Sequence, residues 1–265
     1  MKPTIVMTGA THGFGLEAAR YLAASADTLV LMVRTPERGM SLANRLAGEH
    51  PGLKVDLIPG DLSNPESTQN FVETVKARYP RVDALVNNAG AVFPSKQADA
   101  EGRSLNRRVN FLAPAQICLR LRPVLPPGAV VVNTSSIGES RGEFAVAALE
   151  TGSLNQADYP QAKRAFLMFT LSMARRWASD GILVRAFHPK MVVPANQVPS
   201  WILKLLRATV FQSTQAAGAS LAAVIMDPGT ALYQTVGRKS AIPSRGARVE
   251  ADQDRVFAYV DSLTT

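Results

Sequence analysis

The 265-residue sequence predicts an α/β fold built on one doubly wound parallel sheet with helices on both faces. Two observations carry that prediction. Short β-branched runs alternate with longer helical stretches over the first two thirds of the chain, and a glycine-rich turn joins the first such run to the helix after it. Thr4–Thr8 is the first strand, followed by Thr28–Val33, Lys54–Pro59, Ala84–Asn87, Ala129–Thr134 and Gly181–Phe187, with Leu232–Val236 as the last candidate. Helices fit between them. The first begins near Leu16, Pro36 stands at a second helix start, and Asn64-Pro65 reads as a cap followed by proline in the first turn. Two more helices are expected near Gln215–Ala223 and Ala251–Leu263.

No repeat, low-complexity block or Gly/Ser linker divides residues 1–265, so one unit is expected. The irregular region is 188–212. Its stretch Pro189–Pro199 holds three prolines and leads into Trp201–Phe211, an apolar helix candidate that reads either as core packing or as a lid over a substrate.

Composition narrows the function. At 46% hydrophobic and 19% charged the chain can bury a substantial core. A net charge of +8 invites a nucleic-acid reading, but the basic residues are spread along the chain without interleaved aromatics, so no nucleic-acid partner is expected. Cys118 is the single cysteine, and His12, His50 and His188 lack metal-ligand spacing; neither disulfide nor metal is expected. With no leader-like start and no apolar run of bilayer length, the expected place is the cytoplasm with no membrane span.

The turn Thr8-Gly9-Ala10-Thr11-His12-Gly13-Phe14-Gly15 follows the first strand directly. Side-chain-free positions let backbone approach a pyrophosphate, and the helix behind offers unpaired N–H groups and a partial positive charge. Gly9, Thr11, His12, Gly13, Phe14 and Gly15 are therefore cofactor candidates in a Rossmann-type site. At the end of the second strand, where an NAD-preferring site has an acidic residue, stands Arg34. A guanidinium can pair bidentately with a 2′-phosphate, which argues for NADP(H) over NAD(H). His12 and Arg38 are candidates to assist, each equally readable as an ordinary surface residue.

Taken together these residues resemble the short-chain dehydrogenase/reductase family. Thr8-Gly9-(x)3-Gly13-x-Gly15, Asp61-Leu62 after the third strand, Asn87-Asn88-Ala89-Gly90 after the fourth and Tyr159-(x)3-Lys163 occur in the family's order, joined by Asn110 and by Ser135-Ser136 after the fifth strand. The resemblance implies a catalytic set of Asn110, Ser136, Tyr159 and Lys163, with Ser135 a one-position alternative to Ser136. Asp61 and Leu62 would meet the adenine, while Asn87–Gly90, with Asn87, Ala89 and Gly90 foremost, would line the cofactor. Tyr159, Lys163, Pro189 and Val192 would lie at its nicotinamide end. Lys163, one turn after Tyr159, is expected to draw the phenol's pKa down so that Tyr159 serves as general acid or base. Ser136 would hold the substrate oxygen, and Asn110 would help hold a water that links Lys163 to solvent. The implied reaction is NADP(H)-dependent interconversion of a carbonyl and a secondary alcohol, by a homodimer or homotetramer.

Two departures stand out. Twenty-two residues, Ile137–Asp158, separate Ser136 from Tyr159, a length similar to the retinol-dehydrogenase-like branch, which implies a medium-sized, fairly apolar substrate. His188-Pro189-Lys190-Met191-Val192-Val193-Pro194 replaces the family's Pro-Gly-x-Val-x-Thr, with Lys190 for the glycine and Pro194 for the threonine. The altered loop motivates a second reading, a catalytically silent NADP(H)-binding or interaction module of the same fold. A third is a membrane-surface protein using Trp201–Phe211.

Overall fold

The computed structural model describes residues 2–34, 36–94, 97–99, 102–140, 146, 158–192, 211–237 and 239–264. Strands β1 (Thr4–Thr8), β2 (Thr28–Val33), β3 (Lys54–Pro59) and β4 (Ala84–Asn87) form where the β-branched runs predict them. β5 is Val130–Thr134 and β6 is Leu183–His188; β7 (Met191–Val192) and β8 (Phe211–Gln212) make a separate two-stranded ribbon, and β9 (Tyr233–Thr235) and β10 (Lys239–Ser240) follow. β6 starts later than expected because Gly181 turns at φ 72° and closes the preceding helical turn.

The main sheet runs in the order β10-β9-β6-β5-β4-β1-β2-β3, parallel throughout except for the β9–β10 pair. Strand order reverses between β1 and β4. A doubly wound sheet opens a crevice at that point, outside the carboxyl ends of its strands.

Alternation along each strand loads both faces. Val6, Val30, Leu85 and Val131 pack beneath α3 (Pro65–Arg78), α5 (Ala113–Leu121), α6 (Tyr159–Trp177) and α8 (Glu250–Ser262). Ile5, Met7, Leu29, Leu31, Val86 and Val132 pack beneath α1 (Gly13–Ala23), α2 (Pro36–Glu49) and α7 (Thr214–Met226). The short helix α4 (Leu105–Arg107) runs through a π-helical turn, Arg108–Leu112, into α5. The sequence-based helix candidate at Trp201–Phe211 falls mostly outside the described residues; Phe211 itself opens β8.

α1 begins at Gly13, three residues ahead of the predicted start, because the glycines form its first turn instead of a loop before it. Its far side meets α7 through Gly218, where a Cβ would fall 2.4 Å from Glu17 Cβ and 2.8 Å from the Phe14 carbonyl oxygen. Gly218→Leu is therefore expected to force the two helices apart and cost about 1–3 kcal/mol. A drop in the urea midpoint with the slope unchanged is the expected readout.

Candidate active site

At the switch point the turn after β1 meets the end of β4 backbone to backbone. Thr8 Oγ1 accepts from the N–H groups of Asn88 and Ala89 at 3.2 and 3.1 Å, and Asn88 Nδ2 donates to the Gly9 carbonyl at 2.9 Å. Side chains would not fit. A Cβ on Gly9, which sits at φ 71°, would fall 2.7 Å from Ala89 backbone atoms, and one on Gly15 would fall 2.0 Å from the Gly9 oxygen.

This contact turns the start of α1 toward open space. His12 occupies the N-cap position without a side-chain capping bond, and no acidic residue lies in the first turn. A Cβ on Gly13 would meet nothing within 4 Å. Unpaired N–H groups at a bare helix end form an anion site, and this one faces a cleft of about 290 Å³. Of the predicted cofactor residues, Gly9, Thr11, His12, Gly13, Phe14, Gly15, Arg34, Asp61, Leu62, Ala89 and Gly90 border that cleft. The glycine-walled anion end fits the pyrophosphate of a dinucleotide. Arg34 is exposed at the end of β2, and no described carboxylate pairs with it. Thr11 Oγ1 lies 3.4 Å from His12 Nδ1. The side chain of Arg38 lies outside what the structure describes. Asp61 Oδ1 accepts from both the N–H and the hydroxyl of Ser63 at 2.8 Å, which sets the turn beneath it.

Asn87, expected at the cofactor, does not border the cleft. Its side chain points into the core, donating to Asn133 Oδ1 at 2.9 Å and to Cys118 Sγ at 3.1 Å, so it ties β4 to β5 and α5 and offers the cleft no side-chain group. Asn88, inside the predicted Asn87–Gly90 stretch, is the asparagine that faces the cleft, whereas sequence reasoning passed over Met32, Gly60, Ser63, Phe93 and Val109. Asn106 was missed as well. It exchanges two bonds with the Phe93 peptide at 3.0 and 2.9 Å, while Asn110, one helical turn on, exchanges two with Ala91 at 3.2 and 2.7 Å. Two asparagines spaced four apart are the available signal, since that spacing puts both on one helix face.

The far group assembles beyond Gly90. Asp158 caps α6 with a full capping box to Gln161, which places Tyr159 and Pro160 in the first turn. Ser136 Oγ accepts from the Gly138 N–H at 3.1 Å and is hydrogen-bonded with Tyr159; a Cβ on Gly138 would touch both, at 3.4 and 3.3 Å. Ser135, 4% exposed, is instead bonded by the Tyr233 hydroxyl at 3.4 Å, so Ser136 is the serine on the tyrosine side. Lys163 is 3% exposed; its Nζ donates to the Thr134 carbonyl at 2.9 Å and lies 5.9 Å from the Tyr159 ring centre. Across Gly90 it meets Asn110: a Cβ there would be 2.9 Å from Asn110 Oδ1 and 3.3 Å from Lys163 Nζ.

The electrostatics differ from the sequence-based expectation that Lys163 draws the phenol down. Burial raises the Tyr159 pKa, with the hydrogen bond to Ser136 pulling the other way, and burial lowers Lys163 to about 8. Lys163 gives its proton to a carbonyl, not to the phenol oxygen, so desolvation governs both groups. Pro189 is buried at the end of β6, outside the described lining of the cleft, and Val192 is placed only by its backbone in β7. Between them Lys190 keeps a glycine-like φ of 59°, the only positive φ of an L-residue among the described residues. That conformation costs about 1–2 kcal/mol relative to glycine. Pro194 lies outside the described residues.

A model of the short chain dehydrogenases matches residues 3–201, and the chain belongs to the short-chain dehydrogenase/reductase family. It is 32% identical over 190 residues to a protein of Streptomyces sp. (strain C5) named as a daunorubicin C-13 ketoreductase, covering 70% of this chain and 64% of that one. It is 30% identical over 208 residues to retinol dehydrogenase 12 of Mus musculus, covering 76% and 65%. The matched stretch thus spans just under two thirds of each relative's length. L-sorbose reductase from Gluconobacter frateurii, solved with NADPH and L-sorbose, shares the fold at a TM-score of 0.67 and 20% identity, over 91% of this chain and 97% of that one. Among the described residues no helix is long and apolar enough to cross a membrane, and no cluster of metal-ligating side chains occurs.

A buried lysine with a lowered pKa destabilises the fold wherever it is charged. That penalty is full below pH 8 and lifts as pH rises from about 8 toward the unfolded value near 10.4. Stability attributable to Lys163 should therefore rise over that window. Subtracting the pH profile of Lys163→Met from that of the parent chain should expose this rise; parallel profiles would contradict it.

Proposed function

We propose that the chain is an NADP(H)-dependent oxidoreductase interconverting a carbonyl and a secondary alcohol on a medium-sized, fairly apolar substrate, with Tyr159 as the general acid/base. The observation that carries this reading is that Lys163, one turn along α6 from the Tyr159–Ser136 pair at Gly138, lies against Gly90, a glycine wall of the cleft that also holds the bare N-terminus of α1; the described lining of that cleft stops short of Ser136, Tyr159 and Lys163 themselves.

When bound, the dinucleotide supplies or accepts a hydride at the carbon of the C–O group. The chain's residues do the rest. The α1 N-terminus and its glycines hold the pyrophosphate, and Arg34 pairs with the 2′-phosphate. Ser136 accepts from the Gly138 N–H, and its O–H, which lies at Tyr159, would turn to the substrate oxygen when substrate enters. Burial keeps Tyr159 protonated at neutral pH, which is the form that gives a proton to a carbonyl oxygen in reduction. Lys163, with a pKa of about 8, exchanges protons near working pH, and Asn110 retains one N–H and one lone pair beside it for a bridging water.

The relatives named for retinol and for a daunorubicin ketone support the substrate class. Residues 1–265 are read as one dinucleotide-binding unit, with the β7–β8 ribbon on the substrate side, in a cytoplasmic homodimer or homotetramer; light scattering checks the assembly.

Tyr159→Phe is expected to lower turnover of a ketone and aldehyde panel by about 100- to 10,000-fold while NADPH binding is retained. Activity that survives the substitution rules out the mechanism. Binding of NADPH without turnover of any carbonyl or alcohol by the parent chain would instead favour the binding-module reading. Arg34→Asp should weaken NADPH by about 10- to 100-fold and leave NADH unchanged or tighter, read by fluorescence titration.

A further inference from the structure

We propose that His188 is a positioning residue for the reaction: through Nδ1 it holds Lys190 in its left-handed turn and so fixes the loop after β6, which is tied through Tyr233 to Ser135, the neighbour of Ser136. The inference rests on the reductase reading above, since it is at the nicotinamide end that this loop would act.

In His188-Pro189-Lys190-Met191, proline presets the second position and the third takes a positive φ, the place where a tight turn ordinarily calls for glycine. An L-residue stays there only if its surroundings hold it. The Lys190 N–H donates to His188 Nδ1 at 2.7 Å. The ring thus does what an asparagine or aspartate side chain does in bonding the N–H two residues on.

The ring is itself anchored. His188 ends β6 in register with Thr235 of β9, and its ring lies 6.0 Å from that of Tyr233. The Tyr233 hydroxyl reaches Ser135 Oγ, and the Ser135 N–H donates to the Phe187 carbonyl at 2.7 Å. One connected set of contacts therefore runs from the strained Lys190 to the residue preceding Ser136. Accepting a bond at Nδ1 requires the neutral ring with its proton on Nε2, and burial together with the Lys190 charge disfavours the protonated ring.

Four variants test the role: His188→Asn, which offers an oxygen at similar reach; His188→Phe, which keeps a ring against Tyr233 but removes the acceptor; Lys190→Gly; and the Phe/Gly double variant. His188→Phe is expected to lower kcat about 10- to 100-fold. It should weaken NADPH but not adenosine 2′,5′-bisphosphate, which lacks the nicotinamide. His188→Asn should hold near the parent, and adding Lys190→Gly to His188→Phe should restore kcat, because glycine adopts the turn unaided. Equal losses in the Asn and Phe variants, or no rescue by glycine, would overturn the proposal. Nitrogen NMR of the parent gives a readout independent of turnover: a proton on Nε2 with a protected Lys190 amide supports the anchor, and a proton on Nδ1 refutes it. If the parent turns over no carbonyl yet shows the Nε2 proton and the NADPH-specific loss in His188→Phe, the reductase reading fails while the anchor stands.

Discussion

The rest of the structure depends on how closely the turn after β1 approaches the end of β4. Backbone there meets backbone at distances that admit no Cβ on Gly9 or Gly15. Thr8 Oγ1 and Asn88 Nδ2 fasten the two segments together. Everything downstream inherits this geometry. The start of α1 faces the cleft because Gly15 lets it sit against Asn88, and Ala89-Gly90 leaves β4 in a direction that brings Gly90 between Asn110 and Lys163. The anion end and the proton-handling end are thereby set relative to one another by a few residues of β4 and its loop.

Burial decides the chemistry at the second end. A lysine and a tyrosine one turn apart invite an argument from charge alone, in which the ammonium stabilises a phenolate. The fold instead puts Lys163 under Gly90 with its proton directed at Thr134, and each group moves toward its neutral form. On the proposed function, a neutral phenol would donate and a lysine near pKa 8 would exchange. Both properties come from desolvation, which the packing of α6 beside β5 imposes.

Much of this was legible in the sequence. The bounds of β1 to β4 follow from β-branched runs flanked by breakers, and the order of motifs along the chain singles out Ser136, Tyr159, Lys163 and Asn110 as candidates. What was not legible depends on partners distant in sequence. Ser135 and Ser136 are separated by Tyr233, 98 residues past Ser135. Asn87 and Asn88 look alike as letters, yet one bonds Asn133 inside the sheet and the other Gly9 at its edge. Asn106 carries no motif at all and reveals itself only by clasping Phe93. Lys190 was readable as a departure from glycine, but not as a residue that keeps glycine's conformation, because the acceptor that holds it is a histidine ring whose aim is set by β9.

The central claim is that one cleft presents a dinucleotide to a carbon whose oxygen Tyr159 serves. Isotope transfer tests it most directly. With NADPH deuterated at the transferable C4 position and a ketone substrate in ordinary water, the account predicts an alcohol carrying deuterium at the carbinol carbon, in proportion to cofactor consumed and absent in Tyr159→Phe. Alcohol formed without deuterium at that carbon from both C4 epimers of the cofactor would contradict it.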